Sequence, residues 1–205
     1  MAEPIDNRVF VLILQHPQER RELLSTAPLI GETLARSKLA VGLSWPGLAR
    51  ALGEPTEPRH WSVLHLGAAP AEPPAERREL SVLDRHGERL TEPGAILAAL
   101  QGIVLLDGTW SQAKTLWWRN PWLLKLHRIV LDPPRPARLG RLRREPRREA
   151  LSTIEAAAVV LRHLEAGPEA AAALIAALEQ MMAAARPPPR PGFPRALRTA
   201  RGRRR

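Results

Sequence analysis

A carboxylate, a hydroxyl and an indole fall close together at Asp107-Gly108-Thr109-Trp110. A carboxylate in such a place can take a proton from a weakly acidic N–H or offset a positive charge. The indole can stack on a planar base or shape a pocket. The plainer reading of the same residues is an Asp-Gly turn, a helix cap and a tryptophan packed in the core. A second polar set, Ser152-Thr153-Ile154-Glu155, has the S-x-x-E spacing of a capping box. The box explains these residues without a ligand, although N–H groups at a helix start also suit an anion such as a carboxylate. His16 and Glu19 follow the end of an apolar run. A histidine so placed is more often structural than catalytic.

Basic residues form a third group. Arg135, Arg138, Arg141, Arg143, Arg144, Arg147 and Arg148 crowd residues 133–149, countered there only by Glu145 and Glu149. A charge run is usually a solvated face, but this one is strongly positive and rich in guanidinium, which binds phosphate bidentately. Arg143 could hold a carboxylate or a phosphate. Residues 186–205 add eight arginines, Arg198 and Arg201 among them, and no acid. The net charge is +10 for the whole chain and only +2 for residues 1–185.

These residues need a scaffold, and the hydrophobic pattern supplies one. Ile103 to Leu106 is a continuous, partly β-branched run that reads as a strand buried on both faces. Asp107-Gly108 stops it, and a helical pattern opens at Ser111. Val9 to Gln15 reads as another buried strand, with His16-Pro17 ending it and a helix expected from Pro17 to about Leu24. Further expected elements are a helix over Pro28 to Ser37 and strands over Leu39 to Ser44, Trp61 to Leu66 and His127 to Asp132. A turn is expected at Asp84 to Gly87, and helices over Glu92 to Leu100, from Leu151 onwards with its run Ala156 to Leu164 and Gly167 as terminator, and over Ala170 to Ala185. Trp118 and Trp122 share a face at helical spacing, which predicts core packing. Gly67 to Glu79 and Pro133 to Arg148 read as loops, and the arginine tail beyond Pro187-Pro188-Pro189 as disordered. Strands alternating with helices predict an α/β fold: one domain over 1–185, a mostly parallel sheet flanked by helices, and a basic tail over 186–205. In such sheets ligands bind in the crevice outside the carboxyl ends of the strands, where Asp107 falls.

Asp107-Gly108-Thr109-Trp110 resembles the D-x-T-W signature of the DTW-domain family. Leu14-Gln15-His16-Pro17-Gln18-Glu19 with Ser25-Thr26-Ala27 is similar to that family's first block. Arg143-Arg144-Glu145-Pro146 and Leu151-Ser152-Thr153-Ile154-Glu155-Ala156 resemble its later ones. The resemblance implies a SPOUT-like α/β fold, with a knotted scaffold left open. It implies transfer of the 3-amino-3-carboxypropyl group of S-adenosylmethionine to N3 of a tRNA uridine, with methylthioadenosine released. On that reading Asp107, Thr109 and Trp110 are the catalytic set. Leu106, Gly108, Arg143, Ser152, Thr153 and Glu155 lie on the S-adenosylmethionine side. Arg138, Arg141, Arg144, Arg147, Arg148, Arg198 and Arg201 face RNA, and His16, Glu19 and Thr26 belong to the first block. Relatives often carry a cysteine-rich amino-terminal zinc element; this sequence has no cysteine, so no metal is expected. With no membrane-spanning run and no signal-peptide pattern, a cytoplasmic location is expected. Two rivals stay open at this level: a methyltransferase of related fold acting on RNA, and a non-catalytic RNA-binding protein.

Overall fold

The computed structural model describes residues 3–22, 24–65, 78–84, 86–131 and 151–185. Six strands form one sheet: β1 (Phe10–Gln15), β2 (Ser37–Val41), β3 (Trp61–Leu64), β4 (Leu80–Leu83), β5 (Gly102–Asp107) and β6 (His127–Leu131). Their order is β2-β1-β5-β3-β6-β4. The first five are mutually parallel, and β4 runs antiparallel at the edge beside β6. Among the described residues six α-helices accompany them: α1 (Ala27–Thr33), α2 (Leu48–Leu52), α3 (Gly94–Ala99), α4 (Trp110–Arg119), α5 (Thr153–Leu164) and α6 (Glu169–Ala184). The α/β domain with a mostly parallel sheet is what the alternating pattern predicts.

The period of two along a strand sorts side chains between two layers. Val11 and Ile13 of β1, with Ile103 and Leu105 of β5, pack with α1, α5 and α6. Leu12, Leu14, Val104 and Leu106 go to the opposite face, against α2, α4 and the 3-10 turn Pro121–Lys125. That explains why both strands are apolar without alternation. Fully burying each such aliphatic side chain is worth roughly 1.5–3 kcal/mol. β1 connects outward to β2, whereas β5 connects through α4 to β6 on the other side. The sheet therefore has its switch point between β1 and β5, whose last residues, Gln15 and Asp107, lie side by side.

The helix expected over Pro28 to Ser37 ends at Thr33, and the strand expected over Leu39 to Ser44 is Ser37–Val41. Three further departures each have a physical reason. The helix expected from Pro17 to Leu24 is only the 3-10 turn Glu19–Arg21, because this polar stretch buries Glu19 and has no apolar stripe to dock. The run Ala156 to Leu164 is helical to its end as expected, but the terminator is Glu165 rather than Gly167. Glu165 is extended there, and its carboxylate accepts from the backbone N–H groups of Arg8 (3.0 Å) and Val9 (2.8 Å), leading into β1. Trp118 and Trp122 do not share a helical face. Pro121 forces Asn120 out of helical geometry, so α4 ends and Trp122 enters the following turn. Trp122 is buried while Trp118 is 77% exposed. Buried Asn120 fastens this junction: its amide donates to the carbonyls of Leu43 and Leu116, and its Oδ1 accepts from the backbone N–H of Trp45 and the indole of Trp122. The expected Asp84 turn is present, with Gly87 N–H donating to the Asp84 carbonyl and Asp84 Oδ1 accepting from the backbone of His86 and Glu88.

Candidate active site

Asp107 closes β5 and is 3% exposed. By strand alternation it points with Ile103 and Leu105 toward the α5 layer, as Gln15 does with Val11 and Ile13. The two side chains meet there: Gln15 Nε2 donates to Asp107 Oδ2 at 2.9 Å and to Ser25 Oγ at 3.1 Å. From above, Thr153 Oγ1 donates to Asp107 Oδ1 at 2.5 Å. Both carboxylate oxygens thus accept from neutral side chains, one from β1 and one from the first residue of α5. Such bonds to a charged acceptor contribute about 1.5–3 kcal/mol each. Thr26, buried at the start of α1, accepts from the N–H of Ile154 (3.4 Å). The His16 N–H donates to the Asp107 carbonyl (3.0 Å), which holds the first block against the strand end through backbone rather than imidazole.

The start of α5 is a capping box, as the spacing predicts. Glu155 Oε2 accepts from the backbone N–H (3.0 Å) and hydroxyl (2.6 Å) of Ser152. Ser152 and Glu155 therefore serve each other and hold the helix start. Thr153 is the member of this set that reaches the carboxylate.

The other helix start faces outward. Gly108 has φ +150, in the region that favours glycine, and a Cβ there would come within 2.9 Å of Gln112. That close approach lets Thr109 cap α4: Gln112 Oε1 accepts from the Thr109 N–H (2.7 Å), and Thr109 Oγ1 accepts from the Gln112 N–H (3.4 Å). Thr109 is exposed, and Trp110, the first residue of α4, is 43% exposed, so it is not a core tryptophan. Leu106 is buried in the α2/α4 layer beneath this turn. Glu19 is buried in its 3-10 turn.

The structure thus gathers Asp107, Gly108, Thr109, Trp110, Thr153, His16 and Thr26 at one end of β1 and β5. Arg135, Arg138, Arg141, Arg143, Arg144, Arg147, Arg148, Arg198 and Arg201 lie outside the described residues. Gln15 and Ser25 were missed as site residues. The signal for Gln15 was available, since an amide closing a run of buried aliphatics at an inward register needs a polar partner. Among the described residues, no group of histidines and carboxylates is placed to hold a metal ion, and no helix is long and apolar enough to cross a membrane.

A family model described as the DTW domain matches residues 1–186. A Macaca fascicularis protein named tRNA-uridine aminocarboxypropyltransferase 2 is 28% identical over 176 residues, covering 80% of this chain and 50% of that protein. A Mus musculus protein of the same name is 29% identical over 167 residues, with the same coverage. One from Drosophila melanogaster is 28% identical over 163 residues, covering 78% of this chain and 57% of its own. The chain spans about half the length of the curated relatives it matches. No solved structure matches it.

Proposed function

The chain belongs to the DTW-domain family, and on that premise we propose that it is a tRNA-uridine aminocarboxypropyltransferase. It transfers the 3-amino-3-carboxypropyl group of S-adenosylmethionine to N3 of a uridine. The observation that carries this reading is a buried carboxylate at the sheet's switch point, tied down on both oxygens, with an exposed hydroxyl and an exposed indole two and three residues further along the chain.

These groups suit a sulfonium compound. A carboxylate and an indole face are the kinds of protein group that favour a cation. When bound, S-adenosylmethionine supplies an electrophilic carbon beside a positive sulfur. The N3–carbon bond forms as the carbon–sulfur bond breaks; the electron pair goes to sulfur, leaving neutral methylthioadenosine, and the N3 proton leaves to a base. Asp107 supplies the negative charge that can take that proton or offset the sulfonium. Gln15 and Thr153 fix its two oxygens in place, and this preorganisation matters because misplacing the reacting carbon costs effective molarity steeply. Trp110 offers its ring to the uracil or to S-adenosylmethionine. Gly108 lets the backbone approach closely, Thr109 orients α4, and Leu106 forms the apolar floor. Ser152 and Glu155 hold Thr153 over Asp107, with His16, Glu19 and Thr26 supporting the first block. Arg143 is assigned to the carboxylate of S-adenosylmethionine. Arg138, Arg141, Arg144, Arg147 and Arg148, with Arg198 and Arg201 of the 186–205 tail, are assigned to phosphates. Deleting residues 187–205 then reduces the slope of log affinity for tRNA against log salt by roughly 0.7–0.9 per lost contact, and an unchanged slope refutes the tail's role.

The deciding experiment uses S-adenosylmethionine labelled in the methyl group or in the carboxyl group. Carboxyl label enters unmodified tRNA with equimolar methylthioadenosine. Methyl label in the RNA, with S-adenosylhomocysteine as product, would make the chain a methyltransferase instead.

A further inference from the structure

Residues 108–131 carry Lys114, Arg119, Lys125 and Arg128 and no acidic residue. They also hold four of the chain's six tryptophans. Among the described residues, the exposed large hydrophobics are Val41, Trp110, Trp118 and Leu124, so three of the four fall in this stretch. Trp110, Lys114 and Trp118 are spaced by four and lie along one side of α4, which places the two indoles about 12 Å apart along the helix axis. Next to them Trp117 packs inward. Its ring meets His65, beyond the end of β3, edge-on at 5.2 Å, and the guanidinium of Arg128 on β6 stands 5.7 Å from its centre. Burial and the Arg128 charge lower the His65 pKa. The helix is thus seated by Trp117, while Trp118 stands 77% exposed in a stretch that carries four cationic side chains and no acid.

A tryptophan in the core, as the spacing predicts, is explained by packing. One left in water beside a lysine, two turns from the exposed indole of the candidate site, is not. Aromatic faces alternating with cations are the chemistry that holds single-stranded RNA: bases stack on the rings and phosphates meet the charges. We propose that this flank of α4 is a docking surface for the single-stranded RNA next to the acceptor uridine, with Trp118 as the stacking platform and Lys114 as a phosphate contact. The inference rests on the reading of the chain as an enzyme acting on RNA and extends it from the reacting base to its neighbours. Trp118 is a positioning residue, distant from the transferred group.

The test measures binding of the full chain to a uridine-containing single-stranded oligoribonucleotide and to an unmodified tRNA transcript. Trp118→Ala weakens oligoribonucleotide binding by roughly 5- to 150-fold, the range for losing one stacked base. Trp118→Phe restores most of it, while S-adenosylmethionine affinity and the melting temperature stay at wild-type values. Lys114→Gln reduces the salt slope on the single strand by roughly 0.7. Trp118→Ala with wild-type RNA affinity overturns the proposal. So does the same variant losing self-association while keeping RNA affinity, since the flank would then be an interface between copies. Failure of the two readings is separable. Trp118-dependent RNA binding without aminocarboxypropyl product removes the transferase reading alone; product formation with Trp118-independent binding removes the docking surface alone.

Discussion

Helices α4 and α5 start in the same way at the same end of the sheet, yet their first turns have different surroundings. Each opens on a capping box, Thr109 with Gln112 and Ser152 with Glu155. At α5 the box is partly buried, Glu155 is shielded from solvent, and the next residue donates to buried Asp107. At α4 the cap is exposed, and the next residue is a half-exposed tryptophan. The same local chemistry thus builds an anchored support on one side of the strand ends and an exposed edge on the other. A capping box tells where a helix begins; which of its neighbours stay exposed to solvent depends on what the strand ends place beneath it.

The most damaging way to break this contrast is to remove the shared carboxylate. Asp107→Ala leaves the Gln15 amide and the Thr153 hydroxyl buried without their acceptor, at a cost of about 3–5 kcal/mol in stability, and it is expected to abolish the proposed transfer. Denaturant melts and product assays read the two losses. Asp107→Asn separates charge from shape. Its oxygen can accept from Gln15, and its amide can donate to the Thr153 hydroxyl, which accepts as readily as it donates. The Asn variant is expected to fold near wild-type stability while losing transfer. Near-normal turnover by it would show that the negative charge is not used. Gly108→Ala comes next. The positive φ and the approach of Gln112 predict a cost of about 1–3 kcal/mol, concentrated at the start of α4, with α5 unaffected by hydrogen exchange.

The two caps are expected to separate stability from activity. Ser152→Ala loses about 1 kcal/mol, because its hydroxyl partner Glu155 is buried. Thr109→Ala loses less, since water can replace the cap, but it lowers transfer by loosening Trp110. Equal losses of stability in both variants, with transfer unchanged in Thr109→Ala, would erase the distinction between the two helix starts.

What the sequence revealed follows the range of the interactions. Ile103 to Leu106 and Val9 to Gln15 are apolar on both faces, so their burial in a parallel sheet could be read directly, and so could the caps, which are local. The position of Asp107 at the strand end followed as well. Its ties to Gln15 and Thr153 span 92 and 46 residues and have no local signature. The missing helix after Pro17 shows the limit of start signals: the proline was there, but no stripe existed for packing. The exposure of Trp110 and Trp118 was the least legible feature, because a tryptophan on a helix reads as core until its neighbours are known.

The mildest prediction concerns how α4 is seated compared with α5. The α5 start is held by Asp107, whereas α4 leans through Trp117 on His65 and Arg128. Burial, aided by the Arg128 charge, lowers the His65 pKa in the folded chain below its ordinary value. In the unfolded chain His65 titrates near that ordinary value, about 6.5. Above it both states are neutral and pH has no effect through this group. As pH falls below it, the unfolded chain takes up the proton first, so stability declines until the folded-state pKa is passed. Hydrogen exchange followed from pH 7 to pH 5, a range chosen by the ordinary histidine value, should show α4 opening more readily while α5 holds. His65→Asn, which cannot gain the charge, should flatten that change. A pH response equal in both helices, or one that persists in His65→Asn, would mean that α4 is not seated through this histidine.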